Sequence, residues 1–319
     1  MRDRGATVAN EMRSYSAIGA TRNSMPAIHG ILLLDKPPGL SSNQALQRAK
    51  RLLGADKAGH TGSLDPLATG MLPLVFGEAT KVAGHLLGSR KAYAAEVALG
   101  ATTTTDDAEG EVVATAPVPE FDAARLAAEL ARLTGTIRQR PPAYSALKRA
   151  GVPLYKLARK GLAVEVPERE VRVDEIVVRG RTSTQLSLEV TCGSGTYIRS
   201  LARDLGAGLG CGAHLTGLRR LWVEPFEDVP MHGLATLELA ARDGRSHELL
   251  LPPEAGLERV PRLDADAAEA ERIRQGRVLQ RPGLEWLGSC RIHGPDGRLL
   301  ALAERDEAGA VRPVRVLNP

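Results

Sequence analysis

Leu186-Ser-Leu-Glu-Val-Thr-Cys-Gly-Ser-Gly-Thr-Tyr-Ile-Arg-Ser-Leu-Ala-Arg-Asp-Leu205 changes its period halfway along. Residues 186–192 alternate apolar and polar, as in a strand with one face buried. Gly193-Ser194-Gly195 is turn chemistry. Beyond it Ile198, Leu201, Ala202 and Leu205 are spaced to share one helical face. A strand therefore passes through a short turn into a helix, with Tyr197 and Arg199 placed off the apolar face at the junction.

Upstream, residues 30–34 read as an apolar strand that ends in the turn-rich Asp35-Lys36-Pro37-Pro38-Gly39. Ser41 and Ser42 lead into a helix carrying Ala45, Ala49, Leu52 and Leu53, and Gly54 is placed to end it. A glycine-punctuated loop, Ala58–Gly70, precedes the apolar Met71–Phe76, and Tyr93–Leu99 reads as another strand. Asp122 is expected to cap a helix bearing Leu126, Ala127, Leu130 and Leu133, closed by Gly135. Strands and helices mix without a regular βαβ rhythm, so the expected class is α+β.

Near residue 250 the texture changes. Pro252-Pro253 reads as a linker and Asp264–Ile273 as a short acidic helix. Two strand pairs follow, about the turns Gly294-Pro295-Asp296-Gly297 and Glu307-Ala308-Gly309. The expected organisation is a polar, disordered leader over 1–27, a main domain over 28–249 and a small β-rich domain over 250–319.

The 319 residues carry a formal net charge of +4, compatible with a polyanionic partner but too mild to require one. Cys192, Cys211 and Cys290 are odd in number and widely spaced, which suits reduced thiols in a cytoplasmic protein. Neither they nor the seven histidines form a ligand pattern, so no metal is expected. No apolar run approaches the ~18–20 residues needed to span a bilayer, and the leader lacks the apolar centre of a secretory signal.

Three features invite chemistry. Asp65 is the only acid between Asp56 and Glu78 and lies in a loop of glycine and small residues, where a backbone can approach a ligand. It suits a nucleophile or base, but Asp-Pro equally suits a helix N-cap with proline at the first helical position. Tyr197 and Arg199 flank a turn able to present groups to an anion, or are plain surface residues. Leu130–Val164 contains no acid but contains Arg132, Arg138, Arg140, Lys148, Arg149, Lys156, Arg159 and Lys160, with Tyr144 and Tyr155 interleaved. Cations neutralise phosphates and tyrosines stack on bases, so nucleic-acid contact is the favoured reading. These residues alone do not name a reaction.

The run AGHTGSLDPLATG (58–70) closely resembles the signature loop of TruB-type pseudouridine synthases. GILLLDKPPGLSS (30–42), AYSALK (143–148), GTYIR (195–199), LGCGAH (209–214) and Leu218-Arg219-Arg220 resemble the same family in the same order. The resemblance covers roughly residues 28–230, with a weaker likeness of the tail to a PUA-type RNA-binding domain. It implies a mixed, largely antiparallel catalytic sheet with a basic RNA-binding insertion over about 138–170. It also implies cofactor-free isomerisation of the T-loop uridine at tRNA position 55. By the same resemblance Asp65 is catalytic, Tyr93 packs against the target base, and Tyr197 and Arg199 join the catalytic group. His60 helps open the T-loop, and Lys36 and Leu218 lie close to the substrate. Leu67-Ala68 favours the stand-alone bacterial branch; the expected partner is the tRNA T-arm, with no obligatory protein partner and a monomeric chain. The family's aspartate-rich turn appears as Thr102–Asp107, TTTTDD, a departure expected to lie away from the site. Breaking C1′–N1 and forming C1′–C5 calls for a carboxylate, with attack at C1′, addition at C6 and a glycal route all open. Two other classes stand beside it: a noncatalytic RNA-binding protein, and a glycoside hydrolase, which needs a second acid that the Asp65 loop does not supply.

Overall fold

The computed structural model describes residues 28–144, 148–149, 152–153 and 166–318. The leader and Lys156, Arg159 and Lys160 lie outside the described residues, and Lys148 and Arg149 are described as backbone only.

The apolar run Ile31–Leu34 forms the centre of β1 (Gly30–Lys36). It is apolar at every position because both faces are covered. Leu32 and Leu34 join the core against α1 (Ser42–Leu53), while Ile31 and Leu33 pack with Met71, Val75, Val223 and Phe226 on the other side. Each such side chain contributes about 1.5–3 kcal/mol on full burial, set against about 1–2 kcal/mol per residue for ordering backbone. Ser41 and Gln44 cap α1 reciprocally, and Gly54 ends it in the left-handed region.

The chain continues through β2 (Ala58–His60), β3 (Thr69–Phe76), α2 (Ala83–Leu87) and β4 (Lys91–Leu99). A hairpin of β5 (Ala101–Thr103) and β6 (Val112–Thr115) leads to α3 (Ala123–Arg132) and β7 (Gly135–Gln139). Asp122 caps α3 as expected, but the helix closes at Leu133, and Gly135 already begins β7. Then come the short pair β8 (Lys148–Arg149) and β9 (Val152–Pro153), β10 (Arg169–Arg181) and β11 (Gln185–Cys192). After the 193–197 turn come α4 (Ile198–Leu209), β12 (Ala213–Val223), β13 (His232–Gly233) and α5 (Leu234–Arg242).

One sheet runs β13-β1-β3-β12-β4-β11-β10-β7, with β2 also paired to β3. Only β1–β13 and β3–β12 are parallel; the other pairs are antiparallel. This is the mixed, largely antiparallel α+β sheet expected. Where β3 meets β12, Gly70 adopts φ +93° opposite Arg220, and a Cβ there would stand 2.2 Å from the Arg220 carbonyl oxygen. Only glycine fits.

The tail forms β14 (Arg262–Asp264), α6 (Ala267–Arg274), β15 (Leu279–Gln280), β16 (Gly288–His293), β17 (Leu299–Arg305) and β18 (Ala310–Val316). Its sheet, β14-β16-β17-β18-β15, has its own core around Ile273, Ile292 and Val311. The acidic helix begins later than expected, because Asp266 and Glu269 form a capping box while Asp264 pairs in β14. The segment before it is no free linker. Leu251 exchanges hydrogen bonds of 2.8 and 2.9 Å with Ile31, and Leu257 packs with Val82, Leu299, Leu302 and Leu317. Those apolar side chains outweigh the two prolines.

Candidate active site

Asp65 is not a helix cap. Pro66 and Leu67 form a turn closed by Ala68 N–H on the Asp65 carbonyl at 3.1 Å, and β3 follows directly. The loop is gripped by its main chain. Ser42 Oγ accepts from Leu64 N at 2.7 Å and donates to Leu64 O at 3.0 Å. Gly39 N donates to Pro66 O at 2.9 Å, and Arg220 Nη2 to Gly62 O at 3.1 Å.

Lys36, expected near the substrate, is fully buried beneath this loop. Its ammonium donates to the carbonyls of Pro37 (2.9 Å), Leu40 (2.7 Å) and Pro66 (3.4 Å). All three donors are spent, so it supports the loop and offers no free donor to RNA. Burial pushes its pKa down to about 8, partly opposed by Asp65.

Arg199, placed off the apolar face by its helical position, is nevertheless buried, with only 4% of its side chain exposed. Its Nε stands 3.0 Å from Asp65 Oδ2, an ion pair without the alignment of a hydrogen bond. Nη1 donates to Thr105 O at 2.9 Å and lies 3.3 Å from Asp107 Oδ2, while Nη2 donates to Tyr144 O at 2.9 Å. The TTTTDD turn therefore does touch the site, contrary to expectation. Asp106 takes φ 60° there, held by Arg203 at 2.9 Å, and this turns Asp107 inward. Asp107 is itself locked by Thr105 Oγ1 at 2.5 Å and Glu109 N at 3.1 Å.

The Asp65 carboxylate is 39% exposed to the cleft but otherwise ringed by protein. Its pKa is raised: desolvation exceeds the pull of Arg199, and Asp107 adds a second negative charge. An arginine at contact distance thus moderates the rise without reversing it.

Asp65, Tyr93, Tyr197, Arg199 and Leu218 line one cleft of about 330 Å³. A larger hollow, about 810 Å³, lies elsewhere between Val118–Asp122 and Arg181, and none of these five residues borders it. Tyr93 is only 7% exposed, with its phenol pKa raised by burial, so it is both core and cleft floor. Tyr197 is held through its backbone by buried Gln139, which accepts from Tyr197 N at 2.8 Å and donates to Tyr197 O at 3.1 Å. Arg169 lies over its ring at 4.9 Å. His60 sits on β2, outside the cleft lining; burial and Arg220 lower its pKa. Among the described residues its Nδ1 has no partner.

Gln139→Leu is expected to keep the fold but release the Tyr197 N–H, leaving that one part-buried donor unpaired at about 1–3 kcal/mol, while Tyr197 O still accepts from Leu201 N at 3.2 Å. Single-turnover rate should fall on the order of tenfold or more at saturating enzyme; an unchanged rate would make Gln139 a mere strand end.

Exposed Arg138 and Arg140 share Glu168, at 3.5 and 3.8 Å. Surface pairs of this kind are weak and leave both guanidinia available. No group of three His, Cys, Asp or Glu able to hold a metal occurs among the described residues. No helix among them is long and apolar enough to cross a membrane.

Residues 50–198 match the N-terminal domain of the TruB family pseudouridylate synthases. Residues 199–258 match a tRNA pseudouridylate synthase B C-terminal domain, and 260–318 a tRNA pseudouridine synthase II C-terminal domain. The chain belongs to the TruB family. A tRNA pseudouridine synthase B of Xanthomonas oryzae pv. oryzae is 55% identical, covering 91% of this chain and 94% of that protein. Its counterpart in Xylella fastidiosa is 54% identical, covering 93% and 99%. A solved H/ACA RNP bound to a substrate RNA containing 2'-deoxyuridine holds a chain with TM-score 0.69 and 25% identity, covering 91% of this chain and 86% of that one. The TruB fold thus includes the PUA-like tail as well as the catalytic sheet.

Proposed function

We propose that this chain converts the T-loop uridine at position 55 of tRNA to pseudouridine, with Asp65 as nucleophile and without a cofactor. One observation carries the reading: among the described residues a single carboxylate faces a cleft floored by Tyr93, with Arg199 paired behind it. Membership of the TruB family and the names of the bacterial relatives supply the substrate class. The reaction breaks C1′–N1, turns the uracil and joins C5 to C1′. The C5 hydrogen leaves as a proton and N1 gains one, so atoms balance without an oxidant. The uridine must leave its stack at a cost of a few kcal/mol, and an aromatic floor returns about 1–3 kcal/mol.

Asp107 is the second acid that the glycosidase reading lacked in the sequence. It is buried and committed to Arg199, Thr105 and Glu109, which leaves it no role as an acid facing substrate. The geometry favours isomerisation. The proposal includes action by a monomer on the T-arm alone.

The test is tritium release from a T-arm stem-loop labelled at uridine C5, in excess chelator. Release at the target uridine, with pseudouridine as product, is the expected result. Release that requires one particular metal ion, or a strict need for whole tRNA, would overturn the cofactor or the T-arm part.

A further inference from the structure

We propose that Lys91 binds a backbone phosphodiester at the rim of the cleft, anchoring the everted nucleotide whose base lies on Tyr93. The inference rests on the functional reading above and adds a contact to it.

Lys91 opens β4, opposite Cys192 of β11 and Val223 of β12, where the sheet gives way to the 193–197 turn. Tyr93 is two residues on and shares its face, about 7 Å away at strand spacing. Both border the cleft. A base on Tyr93 therefore brings its own sugar–phosphate within reach of Lys91.

The ammonium is a buried cation with donors to spare. Lys91 is 6% exposed, and its one hydrogen bond among the described residues is to Ser89 O at 2.7 Å. No carboxylate among the described residues forms an ion pair with it. The other buried cations of the cleft, Arg199 and Arg220, are committed. Arg220 donates to the carbonyls of Met71, Gly62 and Ser63 at 2.6, 3.1 and 3.5 Å, and Arg199 holds Asp65. An ammonium taken from water with one partner is costly unless an anion completes it.

Among the described residues the charged and titratable groups that act on Lys91 include no carboxylate, although Asp174 of β10 acts on the neighbouring Cys192 thiol. Arg220 reaches it from β12 and the Cys192 thiol from β11, with the Tyr93 phenol on its own strand. The thiol pKa is pushed up to about 11 by burial, so it is neutral at physiological pH. Burial, and then Arg220, push the Lys91 pKa down to about 8. Among the described residues the cleft is lined by Lys91, Arg169, Arg199 and Arg220 against Asp65 as its one acid, a balance suited to a phosphate.

The sign of the pH effect follows. The protonated lysine binds phosphate, so wild-type affinity for RNA should fall as pH rises past about 8. Lys91→Met should weaken binding of a fluorescent T-arm stem-loop on the order of tenfold at low salt. It should also reduce the slope of log affinity against log salt by about 0.7–0.9, leaving the saturating single-turnover rate within a few-fold. Lys91→Arg should retain affinity and lose the limb near pH 8. The melting temperature of Lys91→Met should not fall, since a desolvated charge is removed. Wild-type affinity and salt slope in Lys91→Met would overturn the proposal. So would a collapsed saturating rate with affinity intact, which would place Lys91 in the chemistry. Failure of the wild type to release C5 tritium would instead sink the functional reading, while the binding assay still reads Lys91.

Discussion

Asp65→Asn should lose turnover by at least about 10⁴-fold, the scale seen when nucleophiles are removed, yet fold and bind RNA within a few-fold of wild type. The structure makes the variant stable. Arg199 would still face Asp107 at 3.3 Å and keep its bonds to Thr105 O and Tyr144 O. The pH dependence has a definite sign. The folded pKa of Asp65 is raised, so this group favours the fold below its unfolded pKa of about 3.9. That contribution is lost as pH rises through the folded value. Once ionised, the aspartate is a burden to the fold, so at pH values above the folded pKa the amide should melt at or above wild type, with the difference closing toward pH 4. A variant that still releases C5 tritium at near wild-type rate would remove Asp65 from the chemistry.

Arg199→Ala should do the opposite to stability. It leaves buried Asp107 uncompensated and two carbonyls unpaired, a loss of about 3–5 kcal/mol on the scale of broken buried pairs. It also removes the cation that restrains the Asp65 pKa. The acid limb of the single-turnover profile should therefore move further up. The rate near neutrality should drop on the order of 10²–10³-fold, as when an electrostatic stabiliser is removed. Arg199→Lys keeps charge but not the fork that reaches three loops, and should fall between. An unmoved limb with weakened RNA binding would make Arg199 a phosphate contact instead.

Much of this was legible in the amino-acid sequence. The change of period after Cys192, the Ser41 and Asp122 caps and the two turns of the tail follow from local chemistry, which depends on residues a few positions apart. Asp65 was legible as a candidate, but its choice between cap and nucleophile was not. The cap reading turned on whether a helix follows Pro66, and the β3–β12 pairing forbids one. The family resemblance placed Arg199 in the catalytic group, while helical periodicity alone assigns such a charged residue to solvent. A buried guanidinium becomes affordable only when oxygens arrive from elsewhere, here 94 positions away at Thr105. Asp107, Arg220, Gln139 and Lys91 were missed as site residues for the same reason. Their partners are distant carbonyls or a cleft wall, and no spacing rule registers those.

The loop around Asp65 is held at Gly62, Leu64 and Pro66 through peptide groups, which every amino acid except proline's missing N–H supplies alike. Its identity as a scaffold is thus written in Ser42, Lys36, Gly39 and Arg220, far from it in the chain. Substitution at exposed Ser63 should be tolerated by the fold, whereas Gly62 at φ +118° and buried Thr61, Leu64 and Ala68 leave little room for change. A mutational scan confined to the neighbourhood of Asp65 would therefore underestimate how many positions govern it, and selection for altered activity would find its levers at a distance.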